Sequence, residues 1–256
     1  MRKSYQAPSV KKAFQILHSV AKTPRGLGIS ELARLLDLSK GTVHGVISAL
    51  EALGAVVRDP ATMKYYLGIT LLELGRRSYE QIELQNLARP YMEKLMESTG
   101  ATVFIGVLNI NRITILDVVE SNNDLKITSP PGTTISIFAG AAGKVMLASL
   151  SERECERIVK ERALPAFTPS SITDPRLYLQ EIGQVRRQGF ATDYEEYLPG
   201  VWAVAAPIRG WKQFYSAIWA VGFKTGLDQK GMSNLITNTV EAASRVSRLL
   251  LKQEEA

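Results

Sequence analysis

Apolar residues at Val10, Ala13, Phe14, Leu17, Val20 and Ala21 recur three and four positions apart, the stripe of one amphipathic helix starting after Pro8. Thr23-Pro24-Arg25-Gly26 and Gly28 stop that helix and turn the chain. Ser30 offers an N-cap oxygen to a second, shorter helix, ELARLLD, with Leu32, Leu35 and Leu36 as its apolar face. Asp37-Leu38 is a tight connection, and Ser39 is placed to cap a third helix over residues 40–53. Val43, Val46, Ile47, Leu50 and Leu53 make the buried stripe of this third helix. The opposite face of its first two turns carries Lys40, Gly41, Thr42, His44, Gly45 and Ser48. After Gly54, Val56-Val57-Arg58, a turn at Asp59-Pro60-Ala61-Thr62, and Lys64-Tyr65-Tyr66-Leu67 read as a hairpin. Three short helices followed by a hairpin with bases on both arms predict a winged helix-turn-helix over residues 7–68.

Residues 69–84 continue helically, with Leu72, Gly75, Tyr79 and Ile82 on one side. They read as a linker helix; the alternative is a first helix of the next domain. Arg89-Pro90 marks a new start, and residues 91–98 form a further helix ending at Gly100. Residues 101–108 and 113–119 are strand-like, 129–132 is a loop, and 140–150 and 151–161 are helices. An amphipathic helix over 175–188 precedes strands at 190–195, 201–208 and 214–221, and a long helix closes the chain over 227–252. Strand pairs interrupted by a helical block predict an α+β domain over 85–252, an antiparallel sheet flanked by helices.

Charge sharpens this division. Residues 1–70 hold ten Lys/Arg against four Asp/Glu, and that excess equals the +6 of the whole chain, because residues 71–256 hold 21 of each sign. The first quarter therefore meets a polyanion. Charge alone leaves nucleic acid, an anionic membrane and an acidic protein open. The small, polar face of the third helix favours double-stranded DNA, because bulky apolar groups would hold a helix off the base edges. Ser39, Lys40, Thr42, His44 and Ser48 are the candidate groove residues, and Arg58 and Lys64 on the wing the candidate phosphate contacts. With the single cysteine Cys155, no apolar h-region and no run near the roughly 20 residues of a membrane span, a cytoplasmic protein away from membranes is expected.

The second domain offers little for catalysis. Both histidines, His18 and His44, fall in the first quarter, and G-x-S-x-G, H-E-x-x-H and C-x-x-C are absent. Gly140-Ala141-Ala142-Gly143-Lys144 fails as a phosphate loop, since Phe138 stands where its first glycine belongs and Val145 replaces the hydroxyl. No metal, cofactor or enzymatic activity is expected. Small residues at a helix start leave backbone N–H groups open to a carboxylate; equally, they let the helix pack closely on the sheet. Glu195-Glu196, adjacent on a strand, read as a solvated edge.

The ordered pieces PSVKKAFQIL, ISELARLLDLSKGTV, LEALGAVVRD, YYLGITLLELG, AGAAGKVMLASL and RRQGFATDYEEYLPGVWAVAAPI resemble the IclR-type transcriptional regulators over roughly residues 7–252. The resemblance implies a winged helix-turn-helix and a GAF-like effector domain. It also implies dimers or dimers of dimers, and control, usually repression, of nearby catabolic or metabolic genes. In the family's glyoxylate- and pyruvate-responsive members the effector meets positions that correspond here to Ala141, Ala142, Asp193 and Ala203. Two polar residues on the last strand complete that site, and this chain has Trp219 and Val221 in their places.

Trp219 and Val221 share a strand face and replace hydrogen-bonding groups with apolar bulk. They point away from glyoxylate or pyruvate and toward a carboxylate with an apolar or aromatic body stacked on Trp219. The rival reading is a degenerate pocket filled by Trp219, in a ligand-independent DNA-binding or interaction protein. Gly45 stands where the family often has arginine, so bidentate reading of guanine is lost there.

Overall fold

The computed structural model describes residues 7–80, 83–211, 214–226 and 228–254. The chain forms two compact units, Met1–Ile82 and Glu83–Ala256.

In the first unit, helices α1 (Pro8–Ala21), α2 (Ile29–Leu36) and α3 (Lys40–Ala52) precede a hairpin of β1 (Val56–Arg58) and β2 (Tyr65–Leu67), and α4 (Ile69–Glu80) follows. The hairpin is antiparallel with Val57 opposite Tyr66, and Leu27 adds a bridge to Tyr65. Ile16, Val20, Leu32, Val43, Ile47, Leu50, Val56 and Tyr65 pack as one core, so the three-helix-and-wing expectation holds.

Several details differ from the sequence pattern. The buried stripe of α1 is Ile16 and Val20 with Ala13 and Leu17 beside them, while Val10 and Phe14 are exposed. That stripe also has helical spacing, so periodicity alone could not choose between the two. Helix α2 starts one residue before Ser30: Gly28 is its N-cap, and the Gly28 N–H donates to Glu31 Oε2 at 2.8 Å. The α2 core contacts are Leu32 and Ala33, with Leu35 turned to solvent. Leu53 is exposed, because it is the C-cap of α3 and lies beyond its packed turn.

Of the helix expected over 69–84, residues 69–80 form α4, Gln81 and Ile82 lie outside the described residues, and Glu83 and Leu84 open α5 (Glu83–Thr99). Pro90 does not start a helix; it sits inside α5. A mid-helix proline costs about 3 kcal/mol. The stripe Leu84, Ala88, Met92, Leu95 and Met96 is buried along the same helix, and each large apolar side chain there returns about 1.5–3 kcal/mol. Burial wins, and the helix runs through.

The second unit is built on a six-stranded antiparallel sheet, order β5-β4-β3-β8-β7-β6. Its strands are β3 (Thr102–Asn109), β4 (Arg112–Val119), β5 (Thr134–Ser136), β6 (Ala191–Tyr194), β7 (Val201–Ile208) and β8 (Ser216–Phe223). Helices α5 and α9 (Gln229–Glu254) pack together against it, and α6 (Gly140–Ser149), α7 (Glu152–Glu161) and α8 (Pro175–Gln188) belong to the second helical group. The α+β class stands. The short strand β5 was absent from the pattern, since three residues show no periodicity.

Candidate nucleic-acid interface and ligand cavity

In the first unit, α3 presents Gly41, His44, Gly45 and Ser48 on one exposed face. Open space surrounds the positions a Cβ would take at Gly41 and Gly45, so this face is flat and accessible. Lys40 and Ser39 are exposed at its start. The Ser39 hydroxyl holds the helix end: it accepts the Thr42 N–H at 3.1 Å and meets the Thr42 hydroxyl at 2.9 Å. Thr42 is half-buried and His44 exposed, so neither is lost in the interior. Arg58 is exposed on β1, its guanidinium 5.6 Å from the Tyr65 ring centre, and Lys64 is half-buried at the start of the returning arm. Among the described residues, no acidic side chain forms an ion pair with Lys40, Arg58 or Lys64. The wing tip is held by Asp59, which accepts the Ala61 N–H and the Thr62 hydroxyl, each at 2.8 Å.

In the second unit, the register gathers the other candidates. Asp193 pairs with Ala203, Ala203 with Val221, and Val221 with Thr102, so these four form one row across four strands. Two residues along, Ala205, Trp219 and Phe104 form the next row on the same face. Trp219 stacks on Phe104, with ring centres 5.6 Å apart and planes at 15°. Its six-membered ring lies over Gly106, where a Cβ would come within 2.8 Å of the indole. The tryptophan thus lies along the sheet and does not plug the space above it.

That space is a cavity of about 210 Å³, and all six predicted effector residues line it: Ala141, Ala142, Asp193, Ala203, Trp219 and Val221. Phe104, Thr128, Ser129, Tyr197 and Leu198 also line it, and sequence reading missed them. Phe104 could have been inferred from alternation opposite Trp219; the others sit on loops, where no periodicity points. A larger depression of about 490 Å³ at the β7–β8 turn, with Arg186, Trp211 and Phe214, contains none of the predicted residues. The six positions that the resemblance named come from four separate elements, α6, β6, β7 and β8, and their common lining makes the smaller cavity the candidate site.

The small-residue start of α6 serves close packing. A Cβ at Gly143 would strike the backbone of Ile137 and Phe138, and one at Gly140, which has φ +44°, would strike Asp193 Oδ2. A protein carboxylate therefore already lies against the N-terminus of α6. Asp193 is 4% exposed, and its Oδ1 accepts the Glu196 N–H at 2.6 Å. Burial pushes this carboxyl up to about 6, outweighing that hydrogen bond.

Lys144, in the fourth turn position after Gly140, is 1% exposed. Its Nζ donates to Glu196 Oε1 at 2.6 Å, Glu181 Oε1 at 3.2 Å and Thr192 O at 3.0 Å. This corrects the solvated-edge reading of Glu195-Glu196. Strand β6 ends at Tyr194, and Glu195 takes φ +64°, which sends the two carboxylates to different partners. Glu196 goes inward to Lys144, and Glu195 pairs with Lys224 at 2.6 Å. The Lys224 ammonium holds the Glu195 carboxyl below its ordinary range.

A basic head with an open helix face, together with a domain enclosing a ligand-sized cavity, defines a DNA-binding, ligand-responsive transcriptional regulator. The profile of the IclR helix-turn-helix domain matches residues 9–60, and that of the bacterial transcriptional regulator IclR C-terminal domain matches residues 77–248. The chain belongs to the IclR family of transcriptional regulators, which are transcription factors and not enzymes. It is 34% identical to the HTH-type transcriptional regulator BhcR of Paracoccus denitrificans over 77% of this chain and 70% of that one. It is 29% identical to XynR of Escherichia coli over 94% and 96% of the two chains. An IclR regulator from Alicyclobacillus acidocaldarius superposes with a TM-score of 0.80 at 26% identity, over 96% of this chain and all (100%) of that one. Among the described residues, no helix is long and apolar enough to cross a membrane, and no cluster of metal-ligating side chains occurs.

Proposed function

We propose that this protein is a cytoplasmic repressor of a catabolic or metabolic operon, released from its operator by a small organic acid with an apolar or aromatic body. The observation that carries this reading is the cavity of about 210 Å³ left above Trp219. A volume of that order holds about seven waters, enough for one small ring with a polar substituent. The apolar walls given by Phe104, Ile115, Ile135 and Trp219 suit such a body better than a two- or three-carbon keto acid. Self-association as a dimer or dimer of dimers accompanies this reading. The exposed Val10 and Phe14 of α1 and Ile69, Leu72 and Leu74 of α4 are part of the apolar surface available for it in the head.

Titration of tryptophan fluorescence with benzoate tests the effector site. The wild-type protein shows a saturable change, and operator affinity falls by roughly 5- to 150-fold, the usual size of such coupling. Trp219→Phe keeps an aromatic wall but loses most of the optical change, because Trp202 and Trp211 do not line the cavity. No response to any aromatic or aliphatic monocarboxylate would leave the ligand-independent reading in possession.

On DNA, Ser39, Lys40, Thr42, His44 and Ser48 approach the major groove, and Arg58 and Lys64 meet phosphates. Thr42→Ala or His44→Ala then reduces discrimination between operator and random duplex, at about 1–3 kcal/mol for a lost base contact. Lys64→Ala weakens both duplexes alike and lowers the salt slope by about one. Gel-shift titrations at several salt concentrations separate the two patterns; equal losses on both duplexes for all three variants would refute the division.

A further inference from the structure

The cavity carries a charge problem that the identity of its ligand must solve. Among the described residues, no lysine, arginine or histidine lines it, and its one carboxyl group is Asp193. Lys144, behind that carboxyl on α6, is committed to Glu196, Glu181 and the Thr192 carbonyl. Glu181 and Glu196 thus share a single ammonium, which acts on Asp193 only through its charge. The groups that face Asp193 are few. From α6 come the Gly140 backbone and Lys144, and from the segment after β6 the Glu196 carboxylate and the amides of Glu196 and Tyr197. From α8 comes the Tyr178 phenol, buried and without a hydrogen-bond partner among the described residues, with Glu181 acting on the same cluster. From β7 and β8 come only Ala203 and Val221. A second anion brought into this enclosure would meet a carboxylate that its backbone hydrogen bonds and the Lys144 charge compensate only in part, in a poorly hydrated space.

We propose that Asp193 sets the charge rule of the site: an anionic effector binds together with one proton, taken from solvent onto Asp193, which then donates a hydrogen bond to the ligand. This rests on reading the cavity as the effector site. The balance is simple: ionised protein, monoanionic ligand and one solvent proton give a complex in which Asp193 is a neutral acid. The proton is close at hand, because burial has already moved this group to about 6. Near neutral pH, about a tenth of the free protein is in the competent form. Above that region the ligand must recruit the proton, so its apparent affinity falls about tenfold per pH unit.

The test is isothermal titration of the full-length protein with sodium benzoate between about pH 6.5 and 8.5, in phosphate and in Tris, whose ionisation enthalpies differ. The wild-type protein takes up close to one proton per site at the alkaline end, and its affinity falls about tenfold per unit there. Asp193→Asn keeps a carbonyl to accept the Glu196 N–H and supplies a fixed N–H donor to the ligand. Its binding is flat across the range, and at the alkaline end it is at least about tenfold tighter than wild type. Wild-type binding with no pH dependence and no buffer-dependent heat overturns the proton coupling while leaving the cavity as a ligand site. Failure of both proteins to bind benzoate or any other monocarboxylate at any pH overturns the effector reading, and the coupling with it.

Discussion

Replacing Lys144 by methionine lowers the unfolding free energy by about 3–5 kcal/mol in urea denaturation near neutral pH. Methionine fills nearly the same space, so the loss is not one of packing. It comes from Glu196, whose side chain is 15% exposed and whose carboxylate loses its 2.6 Å partner. Glu181, more open at 29%, can turn to water. The same change loosens the cavity. The segment after β6 is pinned by Lys144 and by the Thr168 and Ser171 hydroxyls, which donate to the Glu195 and Glu196 carbonyls at 2.6 and 2.7 Å. That segment supplies Tyr197 and Leu198 to the cavity wall. The double variant Lys144→Met/Glu196→Gln recovers most of the loss, since the stranded charge is gone. A single variant within about 1 kcal/mol of wild type, or a double variant no better than the single, would show that the buried ammonium holds nothing in place.

The contrast between Lys144 and Trp219 shows what the sequence could and could not deliver. Trp219 and Val221 were reached through the family resemblance, and strand period added that the two share one face, an inference that needs no partner. The head was legible because helix periodicity, a serine cap and a turn-bounded hairpin are local. The choice between two helical stripes on α1 was not local, because Ile16 is buried by packing on α3 and the wing. Nor was the passage of α5 through Pro90, where burial along one face outweighs the missing hydrogen bond. Lys144 was read only as the failing end of a phosphate loop. Its partners lie 37 and 52 residues away, one of them on a loop whose direction turns on a single left-handed residue, Glu195. Buried charge networks join elements that share no pattern, so they emerge only from the fold.

The second large effect has the opposite sign and comes from the neighbouring carboxyl. Asp193→Asn stabilises the protein at and above neutral pH by about 3 kcal/mol, the difference between an ordinary value of 3.8 and a folded value of about 6 at about 1.4 kcal/mol per unit. The folded value is raised, so the fold favours the protonated acid. Below about pH 3.8 both folded and unfolded chains hold the proton, and Asp193 costs nothing. Between 3.8 and about 6 the unfolded chain ionises first, and stability falls as pH rises. Above that window the penalty is complete and constant. The asparagine chain has no such slope, so the stability difference between the two proteins grows from near zero in acid to its full size near neutrality. Thermal or urea midpoints measured for both proteins across that range read it directly. Coincident curves, or an asparagine variant that is weaker above neutrality, would mean that the carboxylate is well solvated or well paired where it sits. The cost arises because Asp193 is a buried acid beside an apolar cavity, where desolvation outweighs the hydrogen bonds that favour its ionised form.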